Sequence, residues 1–147
     1  GMSTKWTDAR KVMRTDSNFG QASPDTSVIK KQAEHLKEQV IDEHIPVMGG
    51  YYGEDTEGRI TTLGFEGSDY SASLVGAALN AERIEIWTDV SGIYTCDPRV
   101  VEEARPIPQL SFQEATELAY FGDKVLHPKT TKPASQSRIP MLDKNCL

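Results

Sequence analysis

Residues 84–99 carry the side chains of this sequence that are best suited to binding a nucleotide. The apolar run at 84–87 predicts a strand, and Thr88 and Asp89 follow it with a hydroxyl and a carboxylate. Open α/β sheets bind ligands beyond the carboxyl ends of their strands, so we expect both groups at a ligand site. Tyr94 adds a flat ring for stacking, and Arg99 adds a planar fork of donors suited to phosphate. The segment therefore predicts a nucleotide site.

A second candidate site lies where a predicted strand meets a glycine-containing loop and a helix. Residues 60–63 look extended, Gly64 and Gly67 follow, and Ser68 predicts the cap of a helix that continues to Leu79. Free N–H groups and the helix dipole attract anions to such a helix start. A glycine turn with a capping serine explains the same residues without a ligand, and spacing alone favours that simpler interpretation.

Lys124 is the third chemically notable group, in the apolar stretch before Pro128. A lone lysine is usually solvent-exposed. Helices that alternate with short strands, however, predict an α/β fold with a parallel or mixed sheet covered on both faces, and its loops gather at one edge. There we expect Asp89, Tyr94, Arg99 and Lys124 to converge.

The elements that position these groups follow from hydrophobic periodicity and capping signals. Ser23 as cap and Pro24 as first residue predict an amphipathic helix with a buried face of Ile29, Ala33, Leu36 and Val40. Ser111 and Glu114 have capping-box spacing at the start of another helix. Residues 6–20 are predicted as an exposed loop, 129–137 as helical and 139–142 as a last strand.

Composition limits the class of protein. The 147 residues fit one domain, with residues 1–5 as a tail in which Gly1 is a cloning remnant. The net charge of −6 argues against a broad nucleic-acid surface, and no apolar run is long enough to cross a membrane. The cysteines and histidines lack metal-ligand spacing. We expect a cytoplasmic protein with no nucleic-acid or membrane partner and no metal held by its own side chains.

Three motifs together resemble the aspartate kinases of the amino-acid-kinase family. They are TTLGFEGSDY at 61–70, WTDVSGIY at 87–94 and FGDKVLHP at 121–128, in that family's order and spacing, within a resemblance that runs from Trp6 to Pro140. The resemblance implies a three-layer αβα sandwich of the carbamate-kinase-like type. It also implies ATP-dependent phosphorylation of the β-carboxylate of L-aspartate, which leads to lysine, threonine and methionine.

The resemblance also implies a role for each matching residue. Thr88, Asp89 and Tyr94 would hold the adenosine part of ATP, Arg99, Lys124 and the Val125 backbone would hold its phosphates, and Gly67, Ser68 and Asp69 would border aspartate. Lys124 would be the catalytic residue, and Mg²⁺ would bind through the phosphates.

The sequence departs from the family pattern in several places. Phe65 and Glu66 replace an Arg-Gly pair whose arginine is expected to bind the substrate carboxylate, and Asp123 replaces a small alanine. A Lys-Phe-Gly-Gly-Thr-Ser-like phosphate-binding segment and the ACT-type regulatory domains are also missing. We therefore interpret residues 6–147 as the nucleotide-binding half of the catalytic domain, with little or no activity alone.

Two other functions remain open. One is another amino-acid kinase, acting on glutamate or a nucleoside monophosphate. The other is a non-catalytic module whose exposed sheet edge and apolar face pair with another copy or with a partner chain. In either case we expect a homo-oligomer.

Overall fold

Helices and strands alternate along the chain in the computed structural model, which describes residues 3–41, 43–88, 92–96, 100–120 and 128–145. Within these ranges the elements are β1 (Ser3–Thr7), α1 (Thr26–Ile41), β2 (His44–Met48), β3 (Tyr52–Glu54), β4 (Ile60–Thr62), α2 (Gly67–Leu79), β5 (Ile84–Thr88), α3 (Phe112–Tyr120), α4 (Pro128–Ser137) and β6 (Met141–Asn145).

The described strands form three pairs, two of them parallel. β1 pairs with β2 and places Trp6 opposite Val47, while β5 pairs with β6 and places Thr88 opposite Asn145. β3 and β4 form an antiparallel hairpin. Helices cross over between parallel partners, as parallel pairing requires. The predicted α/β class with parallel strands is thus confirmed.

Two groups of buried apolar side chains hold these elements together. The larger group joins α1 to α2 and includes Ile29, Ala33, Leu36 and Leu74, and the smaller group joins β5 to α4. The predicted face of α1 is confirmed for its first three members. Val40 was placed on that face wrongly, because its side chain is 59% exposed near the end of the helix.

The exposed loop predicted at 6–20 is wrong for its first half. Trp6 and Thr7 belong to β1, which also takes in residues 3–5 of the predicted tail, and Val12 and Met13 are fully buried. The prediction inferred exposure from the charged residues nearby, but two of these pair with each other. The Arg10 guanidinium and main-chain N–H donate to the Asp8 carboxylate. That pairing leaves the apolar residues free to enter the core.

The predicted cap of α1 is also wrong. Asp25 caps the helix, since its Oδ1 accepts hydrogen bonds from the main-chain N–H groups of Ser27 at 3.0 Å and Val28 at 3.1 Å. Pro24 instead bridges to Thr15 outside the helix. The capping box of α3 is confirmed: the Glu114 N–H donates to Ser111 Oγ, and the Ser111 N–H donates to Glu114 Oε2.

The carboxyl-terminal elements differ only in their limits. α4 begins at Pro128, one residue before the prediction, and the last strand covers Met141–Asn145 rather than 139–142. Among the helices of the described ranges, none is long and apolar enough to cross a membrane.

Candidate functional site

The carboxyl ends of β5 and β6 meet at one edge of their parallel pair. Thr88 is the last residue of β5 and pairs with Asn145, the last residue of β6. Thr88 thus lies at the carboxyl end of a strand, as the sequence predicted, and open α/β sheets bind ligands at this edge. That Thr88 binds a ligand stays a prediction. Four other predicted site residues lie outside the described ranges: Asp89, Arg99, Lys124 and Val125.

Tyr94 is held by a short ladder of main-chain hydrogen bonds beyond β5. The N–H of Ile107 donates to the carbonyl of Ile93 at 2.8 Å, and the N–H of Thr95 donates to the carbonyl of Arg105 at 2.9 Å. Gly92 reverses the chain just before this ladder with a φ of 84°, a conformation that favours glycine. The half-buried Tyr94 ring is therefore carried by a turn with main-chain support.

The start of α2 supplies the second part of the site, though Ser68 does not cap it as predicted. The helix begins at Gly67, and the residue before it, Glu66, has a left-handed φ of 54° and makes no capping bond with its side chain. Ser68 lies one position inside the helix, with Oγ 3.5 Å from Asp69 Oδ1. In the described part of the chain, nothing accepts a hydrogen bond from the N–H groups of Ser68 and Asp69. These two amides remain available to an anion.

Tyr51 packs against this helix start and was missed by the sequence analysis. Its N–H donates to Ser71 Oγ at 2.8 Å, and its carbonyl accepts from the Leu63 N–H at 2.8 Å. A Cβ on Gly67 would lie 3.1 Å from the Tyr51 Cα, so a side chain there would force the two segments apart. With a φ of 65°, Tyr51 also adopts a backbone conformation that costs a bulky residue free energy. The two glycines that precede it were the available sequence signal.

Asp143 on β6 is a second residue that the sequence analysis missed, because the predicted strand ended at residue 142. Burial and, to a smaller extent, the negative charge of the nearby Asp69 together raise the pKa of Asp143 to about 6. Burial also raises the pKa of Asp69, against a hydrogen bond from Ser68. The buried Oδ1 of Asp143 has no partner among the described residues. This part of the site thus disfavours additional negative charge unless a cation accompanies it.

Phe65 and Glu66, which replace the expected Arg-Gly pair, stand directly before α2. The Phe65 side chain is 82% exposed. Neither side chain supplies a cation for a carboxylate. Across the ranges that the structure describes, no group of three His, Cys, Asp or Glu side chains is placed to hold a metal ion.

Comparison with known proteins identifies the class to which this fold and site belong. Residues 1–142 match the sequence model of the amino acid kinase family. The chain therefore belongs to the amino acid kinase family, as the motifs predicted.

Within that family the chain is similar to aspartokinases. It is 49% identical over 137 residues to the lysine-sensitive aspartokinase 3 of Escherichia coli K12, a match that covers 93% of this chain and 30% of that protein. It superimposes on E. coli aspartokinase III, solved in complex with aspartate and ADP, with a TM-score of 0.92 and 46% identity, over 98% of this chain and 32% of that one. The chain thus spans about a third of the length of these relatives.

A more distant likeness shows the fold alone. The uridylate kinase of Archaeoglobus fulgidus superimposes with a TM-score of 0.54 at 22% identity, over 79% of this chain and 48% of that one.

Proposed function

We propose that this chain forms the nucleotide-binding part of an aspartate kinase, which transfers the γ-phosphoryl group of ATP to the β-carboxylate of L-aspartate. The observation that carries the proposal is the superposition on E. coli aspartokinase III, whose structure contains aspartate and ADP, with a TM-score of 0.92 over 98% of this chain. By the same likeness, the proposed setting is the cytoplasmic synthesis of lysine, threonine and methionine by a homo-oligomer.

The nucleoside end of ATP fits the carboxyl edge of β5. Thr88 brings a hydroxyl to the strand end, and Tyr94 brings a ring on a turn with main-chain support. A hydroxyl and a flat ring are groups that hydrogen-bond a ribose or stack on a base. In the proposal Asp89 completes this end, and Arg99, Lys124 and the Val125 main chain hold the phosphates.

The acceptor end fits the start of α2. The uncapped N–H groups of Ser68 and Asp69 attract a carboxylate, and Gly67 keeps this helix turn open to close approach. The Asp69 carboxylate next to Asp143 opposes an anionic acceptor, so the positive charge of Lys124 is needed to offset it.

Phosphoryl transfer depends on positioning and charge neutralisation more than on covalent chemistry. Bound ATP would supply the phosphoryl group, with Mg²⁺ held through its phosphates. Lys124 would neutralise charge that develops on the transferred group. Because the chain spans 32% of the aspartokinase on which it superimposes, we expect these 147 residues alone to bind nucleotide but to turn over slowly.

A chimera tests the proposal. The matched region of E. coli aspartokinase 3, 30% of that protein, is replaced by this chain, and aspartyl phosphate is measured as its hydroxamate. We expect ATP-dependent product with a raised KM for aspartate, because Phe65 supplies no cation. The double substitution Phe65→Arg/Glu66→Gly should lower that KM without changing the KM for ATP.

Two results would count against the proposal. A folded chimera that binds no ATP would contradict the assignment of a nucleotide site to this chain. A chimera that phosphorylates glutamate or uridine monophosphate in preference to aspartate would favour another amino-acid kinase, the alternative that Phe65 keeps open.

A further inference from the structure

The hydroxyl of Ser71 connects two segments at the proposed acceptor end. It is buried, it donates to the main-chain carbonyl of Gly67 at 2.6 Å, and it accepts from the N–H of Tyr51 at 2.8 Å. A serine hydroxyl can fill both roles at once, because it is a donor and an acceptor. On the basis of the proposed function, we infer that Ser71 is a positioning residue for the acceptor site, which acts by holding Tyr51 against the start of α2.

Tyr51 requires a restraint of this kind. Its φ of 65° lies in the left-handed region, which costs a bulky residue free energy. The Tyr51 side chain is 55% exposed, so burial of the ring alone does not fix this conformation. Main-chain hydrogen bonds hold it on both sides, from the N–H to Ser71 Oγ and from the Leu63 N–H to the carbonyl at 2.8 Å. Loss of the Ser71 hydroxyl removes one of these two restraints.

The restrained segment packs directly on the first turn of α2. An ideal Cβ on Gly50 would lie 3.0 Å from the Cα of Ser68, and one on Gly67 would lie 3.1 Å from the Cα of Tyr51. Backbones in such close contact transmit small displacements to each other. A shift of the Tyr51 main chain therefore changes the direction of the Ser68 and Asp69 N–H groups, which we propose attract the acceptor carboxylate.

Ser73 provides a matched control within the same helix. Both serines are buried, but Ser73 Oγ has no hydrogen-bond partner in the part of the chain that the structure describes. Replacement by alanine changes helix propensity and side-chain volume equally at the two positions. Ser71→Ala also deletes the bridge between Gly67 and Tyr51, whereas Ser73→Ala leaves it in place.

Amide hydrogen exchange in the full 147-residue chain, resolved by NMR, tests the bridge itself. We expect the Tyr51 amide to exchange about tenfold faster in Ser71→Ala, because this amide loses its acceptor. The amides of α1 should keep their rates, which separates this effect from a general loss of stability. Ser71→Thr, which keeps a hydroxyl, and Ser73→Ala should both retain the parent rate at Tyr51. An unchanged Tyr51 rate in Ser71→Ala would overturn the inference.

Kinetics in the chimera with E. coli aspartokinase 3 test the consequence for the acceptor. Ser71→Ala should raise the KM for aspartate about tenfold, with little change in kcat or in the KM for ATP, because the displaced amides bind the acceptor alone. Ser71→Thr and Ser73→Ala should leave all three values unchanged. In a Tyr51→Gly background the effect of Ser71→Ala should be smaller, because glycine adopts a positive φ without strain.

The chimera separates failure of this inference from failure of the proposed function. A folded parent chimera that phosphorylates no aspartate would overturn both. An active parent chimera whose KM for aspartate is the same in Ser71→Ala would overturn the positioning role of Ser71 and leave the proposed function intact. Equal rises in the KM values for aspartate and ATP would do the same, since they indicate a general disturbance of the fold.

Discussion

Gly76 fixes the distance between α2 and β5, the two elements that carry the two ends of the proposed site. An ideal Cβ at this position would lie 2.6 Å from Cγ1 and 2.7 Å from Cδ1 of Ile84, a buried residue of β5. Gly76→Ala therefore has two opposed effects. Alanine favours the helix by about 1 kcal/mol, while overpacking costs about 1–3 kcal/mol.

The free-energy cost of the clash exceeds the gain in helix propensity, because Ile84 is buried and its side chain cannot move to another position. We expect Gly76→Ala to lower the free energy of unfolding by up to about 2 kcal/mol. Ile84→Ala alone should cost about 2–5 kcal/mol through the cavity it leaves. In that background both clashing atoms are gone, so Gly76→Ala should stabilise the chain by about 1 kcal/mol.

Urea denaturation followed by circular dichroism measures all four members of this double-mutant cycle. Ile84→Val, which removes Cδ1 but keeps both γ-carbons, provides a milder background in which the clash is only partly relieved. The reversal of sign is the critical result. If Gly76→Ala changes stability by the same amount and in the same direction in every background, the close approach of α2 to β5 does not limit this position, and the reasoning fails.

Three further predictions concern stability. Because the pKa of Asp143 is raised to about 6, the folded state still holds a proton between about pH 4 and 6 that the unfolded state has lost. The free energy of unfolding therefore falls as pH rises through this range. Two pK units correspond to about 3 kcal/mol, and the partial exposure of the group reduces this to about 1–2 kcal/mol. Asp143→Asn should therefore stabilise the chain by that amount at pH 7.5 and not at pH 4, and urea midpoints that shift equally at both would contradict this. Ser111→Ala should cost about 1 kcal/mol through the lost capping box, whereas the exposed Ser135→Ala should change little. Burial opposes ionisation of Asp55, but hydrogen bonds from Arg59 and Ser17 outweigh the effect of burial and lower the pKa of Asp55 to about 2. The ionised carboxylate therefore stabilises the fold above about pH 4, and this contribution is lost as pH falls from about 4 to 2. Acid titration should show this loss in the parent chain and not in Asp55→Asn.

Sequence patterns predicted the elements whose signals are local. The periodic face of α1 and the capping box of α3 depend on residues a few positions apart, and both are confirmed. Pairing between distant or charged residues was not predictable in this way. Residues 8–14 contain four charged side chains, yet Val12 and Met13 between them are fully buried, because Asp8 with Arg10 and Arg14 with Glu54 form ion pairs.

Motifs in the sequence supplied the residues of the candidate site, but they could not supply its geometry. Thr88 ends a strand as its position after an apolar run predicted. The start of α2 depends on Glu66 in a left-handed conformation and on the approach of Tyr51 to Gly67, contacts between segments about 15 residues apart. Asp143 comes close to Asp69 only because β6 pairs with β5, and no local pattern encodes that pairing.

Nucleotide binding is the most direct test of the proposed function. MgATP titrated into the folded chain in a calorimeter should give saturable heat. Tyr94→Ala should abolish that heat and Thr88→Val should weaken binding, while Thr56→Val, an exposed threonine in the β3–β4 turn, should leave it unchanged. A folded chain that shows no saturable heat, or one whose affinity is the same in all three variants, would contradict the assignment of a nucleotide site to the carboxyl edge of β5.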